Sequence, residues 1–231
     1  MQKGLDLLLT KYSIKDGAIL SADGKTVSIA GTDYPVLPWE AERRIMELRN
    51  IYASGRVGSA CTFRIAHTAN RGADLFDLLY RELGILSYIL NSPVKSVFAI
   101  RSENCMNCIA EAECGCIATV ELAATLPAGD EHIDKHELIC EVGVACDRVV
   151  DTQIPQHSIY LMTEDKAKYR DTDSELYGYD ELKTSIIRQS FALAKLEGLR
   201  ADAIAKAEQI ELAVEAAKKS LETLENVKVG C

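Results

Sequence analysis

The second half of this chain passes through a series of short strand-like segments before it ends in helices, and this order restricts the fold most. In one segment Val120 and Leu122 alternate with Thr119 and Glu121, as in a strand with one buried face. Strands followed by helices predict an α+β fold, an open and mostly antiparallel sheet covered by helices on one face. The predicted strands are Val94–Arg101, Cys108–Glu113, Cys116–Thr125, His136–Val150 and Ser158–Thr163, and the helices are about 180–197 and 200–225.

The first half combines strands and helices but contains no glycine-rich phosphate loop. Leu5–Thr10 predicts a short apolar strand that ends at a lysine, and Thr26–Ala30 predicts a second strand. No two of the 14 glycines are two positions apart. The G-x-G turn that holds a dinucleotide pyrophosphate at a helix N-terminus therefore has no counterpart in this sequence. The remaining predicted elements are helix Trp39–Ser54, strand Cys61–Thr68 and helix Gly72–Leu90.

The composition excludes several classes of function. A net charge of -9 argues against a protein that binds nucleic acid through a basic surface. No apolar run reaches the roughly 18 residues that a membrane-spanning helix needs, and the N-terminus lacks the pattern of a signal peptide. We expect a cytoplasmic protein that binds neither nucleic acid nor membranes. Its eight cysteines are then expected to be mostly reduced.

Several short sequences follow one another in a recognisable order. Lys11 follows an apolar segment, Gly55-Arg56-Val57-Gly58 follows a helix, and Asp77 precedes Arg81 by four residues on the next helix. This order resembles the Gfo/Idh/MocA family (glucose–fructose oxidoreductase and inositol dehydrogenase), which carries a catalytic lysine in Glu-Lys-Pro and an Asp-x-x-x-His pair on a helix. Here the residues beside the lysine differ, and arginine replaces the histidine. Further matches are Val94–Val97, the hairpin Glu113–Leu122 and Val227–Val229.

The resemblance implies a domain organisation. Residues 36–231 correspond to the family's C-terminal α/β domain, and residues 1–35 to a remnant of its nucleotide-binding domain, a truncated Rossmann-type fold. A complete member would bind NAD or NADP and oxidise a sugar or polyol. Without a glycine-rich segment, we expect the lone chain to bind no cofactor. NAD(P) is expected only if a partner chain supplies that domain.

The resemblance also implies a set of site residues. Lys11, Asp77 and Arg81 occupy the family's catalytic positions, although arginine stays protonated and cannot act as the base that a histidine would be. Arg64 and His67, one strand earlier, are candidates for binding substrate. Without the resemblance, Lys11 is a solvated lysine at a strand end. The pair Asp77 and Arg81 is then an i,i+4 ion pair, contributing about 0.3–0.5 kcal/mol.

Four closely spaced cysteines allow two interpretations. Cys105, Cys108, Cys114 and Cys116 have the spacing C-x2-C-x5-C-x-C, and four such thiolates could bind a structural zinc ion. The alternative is a hairpin that turns at 113–116 and places Cys108 opposite Glu121. That register puts Cys108 about 17 Å from the turn, too far for a shared ion. We favour the hairpin and expect no metal site.

Two histidines, His132 and His136, are four residues apart, which is the spacing of zinc ligands on a helix. They lack the glutamate of a hydrolytic HExxH motif and lie at the start of a predicted strand. We expect an exposed loop pair.

Three functions remain open at this stage. The first is an oxidoreductase-like protein without autonomous catalysis, a binding or oligomerisation module for a sugar- or polyol-like ligand. The second is half of a split NAD(P)-dependent dehydrogenase whose Gly-rich domain is on another chain. The third is a zinc-stabilised interaction protein. An apolar sheet face without a cover is an association site, so we also expect a homo-oligomer.

Overall fold

The computed structural model describes residues 1–147, 158–162, 167–170 and 178–230. The strands predicted to reach Val150 and Thr163 extend beyond these residues. The helices are α1 (Gln2–Lys11), α2 (Arg43–Ala53), α3 (Leu75–Leu90), α4 (Glu181–Lys195) and α5 (Gly198–Thr223). The strands are β1 (Ala18–Leu20), β2 (Thr26–Ile29), β3 (Thr32–Pro35), β4 (Ala60–Asn70), β5 (Val94–Arg101), β6 (Cys105–Ala112), β7 (Ile117–Leu126), β8 (Ile133–Cys140), β9 (Gly143–Cys146), β10 (Ser158–Met162), β11 (Ala167–Arg170) and β12 (Val227–Lys228).

The chain forms two compact units. The first contains Met1–Met46 with Thr172–Glu208, and the second contains Glu47–Asp171 with Gln209–Cys231. The assignment of residues 1–35 to a remnant nucleotide-binding domain concerns ancestry and stays a prediction.

In the first unit, the prediction that Leu5–Thr10 forms a strand is wrong. This segment belongs to α1, which buries Leu5, Leu8 and Leu9 on one side while Leu7 is 53% exposed. Spacings of three and four residues place the buried leucines on one helical face. The side chain of Gln2 then binds the backbone of β1, donating to the Ala18 carbonyl at 2.9 Å and accepting from the Leu20 amide at 2.8 Å. β1, β2 and β3 form a small antiparallel sheet.

The second unit is built on a nine-stranded sheet with the order β11-β10-β9-β8-β4-β7-β6-β5-β12. β4 and β7 pair in parallel, and the other neighbouring pairs are antiparallel. α3 packs against β4, β6 and β7. The predicted fold class, an open and mostly antiparallel sheet with helices on one face, is confirmed.

The two faces of the large sheet differ in burial. On β4, the buried side chains are those of Phe63, Ile65 and His67, whereas Arg64, between Phe63 and Ile65, is exposed. The strand registers place Arg64 beside Glu137 of β8 and Thr119 of β7 on the other face, which we call the open face. By the same registers the open face carries exposed apolar side chains, namely Ile100, Ile109, Ile117 and Ile133.

The β6–β7 hairpin is confirmed, with a correction to its register. Cys108 pairs with Val120, not with Glu121 as predicted. The turn closes through the Ala112 amide, which donates to the Cys116 carbonyl at 3.0 Å. Helix α2 also begins later than predicted, because Pro38–Glu40 form a separate 3-10 turn.

Candidate functional site

Three ionisable side chains meet in the core of the second unit. Glu82 projects from α3, His136 from β8, and Asp147 follows the end of β9. The Nδ1 atom of His136 lies 2.5 Å from Asp147 Oδ2, and its Nε2 atom lies 2.8 Å from Glu82 Oε2. All three side chains are almost completely buried. A buried imidazole is thus held between two carboxylates.

Local structure explains how these residues come together. α3 buries Leu75, Leu78, Leu79, Leu83 and Leu86, and Glu82 lies on the same apolar side of the helix. On β8, alternation turns His136 inward together with Leu138 and Cys140. Asp147 is fixed by the backbone, since its amide donates to the His136 carbonyl at 3.1 Å and its Oδ1 accepts from the His136 amide at 2.7 Å.

The contacts of His136 determine its charge. Ionised carboxylates only accept hydrogen bonds, and a neutral imidazole carries one N–H. Both ring nitrogens face a carboxylate oxygen, so both bonds form when His136 is an imidazolium. The core therefore contains one cation between two anions.

The pKa values agree with this charge state. Burial alone lowers the pKa of His136, but the charges of Asp147 and Glu82, together with their hydrogen bonds, raise it to about 10. Burial alone raises the pKa of Glu82, but the charges of Arg81 and His136 and the hydrogen bonds of both imidazoles outweigh burial and lower it. Each charge is thus maintained by its neighbours.

A second branch connects Glu82 to the protein surface. Glu82 Oε1 lies 2.7 Å from Nδ1 of His67 on β4. The other nitrogen of His67 lies 3.4 Å from Nδ1 of His132, whose Nε2 is 3.0 Å from Asn70 Oδ1. His67 is buried and His132 is exposed. The branch therefore runs from the core to the surface beside the end of β4.

The number of protons in this branch follows from its two ends. The Asn70 amide nitrogen donates to the carbonyls of Pro127 and Asp130 at 2.6 and 3.0 Å, so Oδ1 is the atom that faces His132 and accepts. Glu82 accepts at the other end. The branch from Glu82 through His67 and His132 to Asn70 contains three hydrogen bonds, and each needs one N–H group. Two neutral imidazoles supply only two N–H groups. The branch is satisfied when the two histidines share one extra proton.

The outer histidine, His132, is the less favourable place for a positive charge. Burial, followed by the charges of His67 and Arg81, lowers the pKa of His132. The inner ring of His67 lies against the Glu82 carboxylate. The exposed ring of His132 is then neutral at physiological pH.

Arg81 and Asp134 form the outer edge of the site. The Arg81 guanidinium contacts Glu82 Oε1 at 2.5 Å and Asp134 Oδ2 at 3.1 Å. Both side chains are less than one fifth exposed. We call Arg81, Asp134, His132 and Asn70 the rim of the network. Together they present hydrogen-bond donors and acceptors next to one another.

One group of side chains has the chemistry of a cation site. Ligand atoms of His67, Glu82 and Asp134 lie within 4.8 Å of one another. The Arg81 guanidinium already contacts both carboxylates and supplies positive charge there. A divalent ion would have to compete with this tethered cation.

The predicted catalytic residues have different surroundings. Arg81 lies in the rim, and Asp77 is exposed one turn earlier on α3. Lys11 is an exposed residue at the C-terminal end of α1 in the first unit, and its ammonium group lies 5.3 Å from the centre of the Tyr12 ring. Lys11 is therefore at a helix end and not at the end of a strand.

The predicted substrate-binding pair is not brought together. His67 joins the buried network, whereas Arg64 lies on the open face, 63% exposed and 3.6 Å from Glu137. Positions three apart on a strand point to opposite faces. Of the two, His67 belongs to the site described here.

We predicted that His132 and His136 are both exposed in a loop, and this prediction is wrong for His136. His132 is exposed, but His136 is fully buried at the centre of the network. The two rings do not face one another, because His67 and Glu82 lie between them in the chain of hydrogen bonds.

The hairpin separates the predicted cysteine group. Cys108 pairs with Val120, four residues beyond Cys116 on β7, or about 13 Å along the strand. Burial raises the pKa of both Cys108 and Cys116 to about 12, which favours the thiol over the thiolate that zinc requires.

Sequence reasoning missed Glu82, Asp134, Asn70 and Asp147. The sequence contains a signal for Glu82, which is a charged residue within the apolar pattern of α3. Asp147 had no comparable signal, because its role depends on the pairing of β8 with β9.

Solved structures of oxidoreductases are similar to this chain. One is an oxidoreductase from Agrobacterium radiobacter in complex with NAD+, L-tartaric acid and magnesium, with a TM-score of 0.69 and 14% identity over 84% of this chain and 64% of that chain. A levoglucosan dehydrogenase in complex with NADH and levoglucosan has a TM-score of 0.66 and 12% identity over 84% and 65%. An inositol dehydrogenase homologue from Azotobacter vinelandii, complexed with NADH and myo-inositol, has a TM-score of 0.59 and 14% identity over 84% and 62%.

These similarities confirm the Gfo/Idh/MocA-type resemblance at the level of the fold. The chain spans about 64% of the length of the first of these structures. No protein-family model matches the chain, and no curated protein matches it. Within the parts of the chain that the structure describes, none of the helices is long and apolar enough to cross a bilayer.

Proposed function

We propose that this chain is an oxidoreductase-like binding module that holds a sugar- or polyol-like ligand at the rim of the buried network. The observation that carries the proposal is the anchoring of the rim by Glu82. Arg81 binds this carboxylate directly, and His132 is connected to it through His67. Rim groups held in place before a ligand arrives lose less conformational entropy on binding.

The chemistry of the rim suits a ligand with several hydroxyl groups. A hydroxyl both donates and accepts hydrogen bonds. Arg81 donates and Asp134 accepts. The solved structures with levoglucosan and myo-inositol hold such compounds, which makes these two the first ligands to test.

The proposed module has no autonomous catalysis. A dehydrogenase needs a group that removes the hydroxyl proton, and an arginine stays protonated at neutral pH. Arg81 also contacts two carboxylates. We propose that the lone chain does not bind NAD(P).

Calorimetric titration with myo-inositol and levoglucosan tests the binding proposal. Arg81→Lys keeps the charge but loses the planar fork of donors, so we expect affinity to fall about tenfold, or about 1.4 kcal/mol. Arg64→Lys makes the same change on the open face and is expected to bind like the natural chain. Absence of saturable binding to either compound, or equal losses in both variants, would contradict the proposal.

A second candidate is one half of a split NAD(P)-dependent dehydrogenase, with the Gly-rich domain on another chain. It is favoured by the fold likeness to proteins solved with NAD+ or NADH. Titration with NADH, followed by its fluorescence, separates the two candidates. Tight binding by the lone chain would contradict the binding-module proposal, and binding only after a second chain is added would support the split enzyme.

The third candidate, a zinc-stabilised interaction protein, is the least favoured because the hairpin separates Cys108 from Cys116. We further propose a cytoplasmic homo-oligomer that associates through the open face.

A further inference from the structure

Three cysteines lie at the same end of three adjacent strands of the large sheet. Cys140 ends β8, Cys61 is the second residue of β4, and Cys116 directly precedes β7. β4 lies between β8 and β7, so Cys61 is the middle thiol. All are free thiols in the structure. This group is separate from the ionic network and shares only Cys116 with the predicted zinc quartet.

A β-bulge in β4 places Cys61 next to the residue that pairs with Cys140. Ala60 pairs with Cys140, and Thr62 pairs with the next residue of β8, Ile139. Cys61 is therefore an extra residue on β4, between the pair Ala60–Cys140 and the pair Thr62–Ile139. Bulges redirect a side chain and are commonly found near functional sites.

Cys61 adjoins the residue that lies opposite Cys140. Cα atoms of residues opposite one another on antiparallel strands are about 4.5–5.5 Å apart, and disulfides join Cα atoms that are about 4.4–6.8 Å apart. Cys61 directly follows Ala60, the register partner of Cys140, so we expect a local adjustment at the bulge to bring the two sulfurs together.

The burial of the two thiols gives them different roles. Cys61 is exposed, and Cys140 is only 8% exposed. Burial, followed by the charge of Cys61, raises the pKa of Cys140 to about 11, so Cys140 stays a thiol at neutral pH. An oxidant from solution meets Cys61 first, with Cys140 beside it as the second sulfur.

We propose that Cys61 and Cys140 are a redox-active pair that forms a reversible disulfide when a hydroperoxide oxidises Cys61.

The reaction has two steps. The Cys61 thiol loses its proton and its sulfur attacks a peroxide oxygen, the O–O bond breaks, and a sulfenic acid forms while the other oxygen takes up that proton and leaves as an alcohol or water. The Cys140 sulfur then attacks the sulfenic sulfur, the S–S bond forms, and the S–O bond breaks. The departing hydroxide takes the Cys140 proton and leaves as water. Two thiols are oxidised by two electrons, one hydroperoxide is reduced, and a dithiol reductant reverses the change.

Cys116 is the competing partner for Cys61, since it lies beside it on the other strand. It is completely buried, and its backbone carbonyl accepts the hydrogen bond that closes the β6–β7 turn. These features favour Cys140 over Cys116.

The proposed bond would join the two strands that carry the site. β4 carries His67, and β8 carries Asp134 and His136, toward the other end of the same ladder. Oxidation is therefore expected to raise the melting temperature of the second unit.

Peptide mapping after peroxide treatment tests the proposal. The folded chain is treated with hydrogen peroxide, alkylated before unfolding, digested without reductant and analysed by mass spectrometry. We expect a peptide pair that joins Cys61 to Cys140, an intact mass lower by two hydrogens, and reversal by dithiothreitol. Cys140→Ser should instead leave a Cys61 sulfenic acid that dimedone traps.

Cys105→Ser is the matched control, because it removes a partly exposed thiol from β6 and should leave the same linkage in place. A main product that joins Cys61 to Cys116 or Cys114 would overturn the proposal. So would an intermolecular Cys61 disulfide, or a Cys61 sulfenic acid that accumulates in the natural chain without a cross-link.

Discussion

At the scale of single residues, the charge of each buried group depends on its neighbours. Glu82 contacts Arg81, His67 and His136, and the charges of Arg81 and His136 help to lower its pKa. Removing one member of a buried ion pair leaves the other charge uncompensated, which usually costs about 3–5 kcal/mol. The network is thus more sensitive to loss of Glu82 than to changes in surface pairs.

Glu82→Gln is therefore expected to lower the free energy of unfolding by about 3–5 kcal/mol. Urea denaturation measures this change. Glu137→Gln is the matched control, since Glu137 pairs with the exposed Arg64 on the open face and such pairs contribute roughly 0–1 kcal/mol. Equal effects of the two substitutions would show that Glu82 is not the centre of an ionic network.

The pH dependence of stability follows from the direction of each pKa shift. The folded pKa of Glu82 is lowered, so its contribution is present above the unfolded pKa, about 4.3, and is lost in acid. The folded pKa of His136 is raised to about 10, so its contribution is complete below the unfolded pKa, about 6.5, and is lost as pH rises.

Urea denaturation across pH is therefore expected to show maximum stability near pH 5–6.5 and a decline toward pH 10. His136→Gln should weaken the alkaline decline, whereas the exposed His132→Gln should keep most of it. An alkaline decline of unchanged size in His136→Gln would assign it to other groups.

At the scale of elements, the sequence predicted those strands and helices whose pattern is strong on its own. β5 has the predicted bounds, Val94–Arg101, and α3 ends at Leu90 as predicted. α1 was mistaken for a strand because Leu7, Leu8 and Leu9 are contiguous, although only two of these three leucines are buried. Three apolar residues in a row do not distinguish the two periodicities.

The site was harder to predict than the elements, because it depends on pairing between distant segments. His136 looked like a loop histidine, and its burial requires Glu82 from α3 and Asp147 from beyond β9. Arg81 was identified through its position in a familiar motif, but its contacts with Glu82 and Asp134 could not be read from the sequence.

The β6–β7 turn gives a prediction at the same scale. Gly115 has φ of +89°, and a Cβ added there would meet no atom within 4 Å. Gly115→Ala should therefore cost about 1–2 kcal/mol through backbone conformation alone. Gly198→Ala at the start of α5, where φ is not positive and space is open, should be neutral or stabilising by up to about 1 kcal/mol. Thermal denaturation of both variants tests the difference, and equal melting temperatures would contradict it.

At the scale of the whole molecule, the open face is the surface that the proposed assembly would use. It carries Ile100, Ile109, Ile117 and Ile133, which are 40–50% exposed. Exposed apolar side chains on one face of a sheet are typical of association surfaces.

Ile109→Lys should therefore shift the chain from oligomer to monomer, because a lysine charge is costly to bury in an apolar interface. Light scattering after size-exclusion chromatography measures the mass. Ile19→Lys, at the most exposed isoleucine of the first unit, is the control and should leave the mass unchanged. A monomeric natural chain, or equal effects of both substitutions, would contradict association through the open face.

The central claim is that the second unit is organised around a buried imidazolium, His136, held between Glu82 and Asp147. Nitrogen NMR of the histidine rings across pH tests it most directly, with His136→Gln to assign the signals. We expect both ring nitrogens of His136 to carry protons at pH 8 and to lose one only near pH 10, the raised pKa of this residue. A His136 ring with one unprotonated nitrogen at pH 8 would contradict the account.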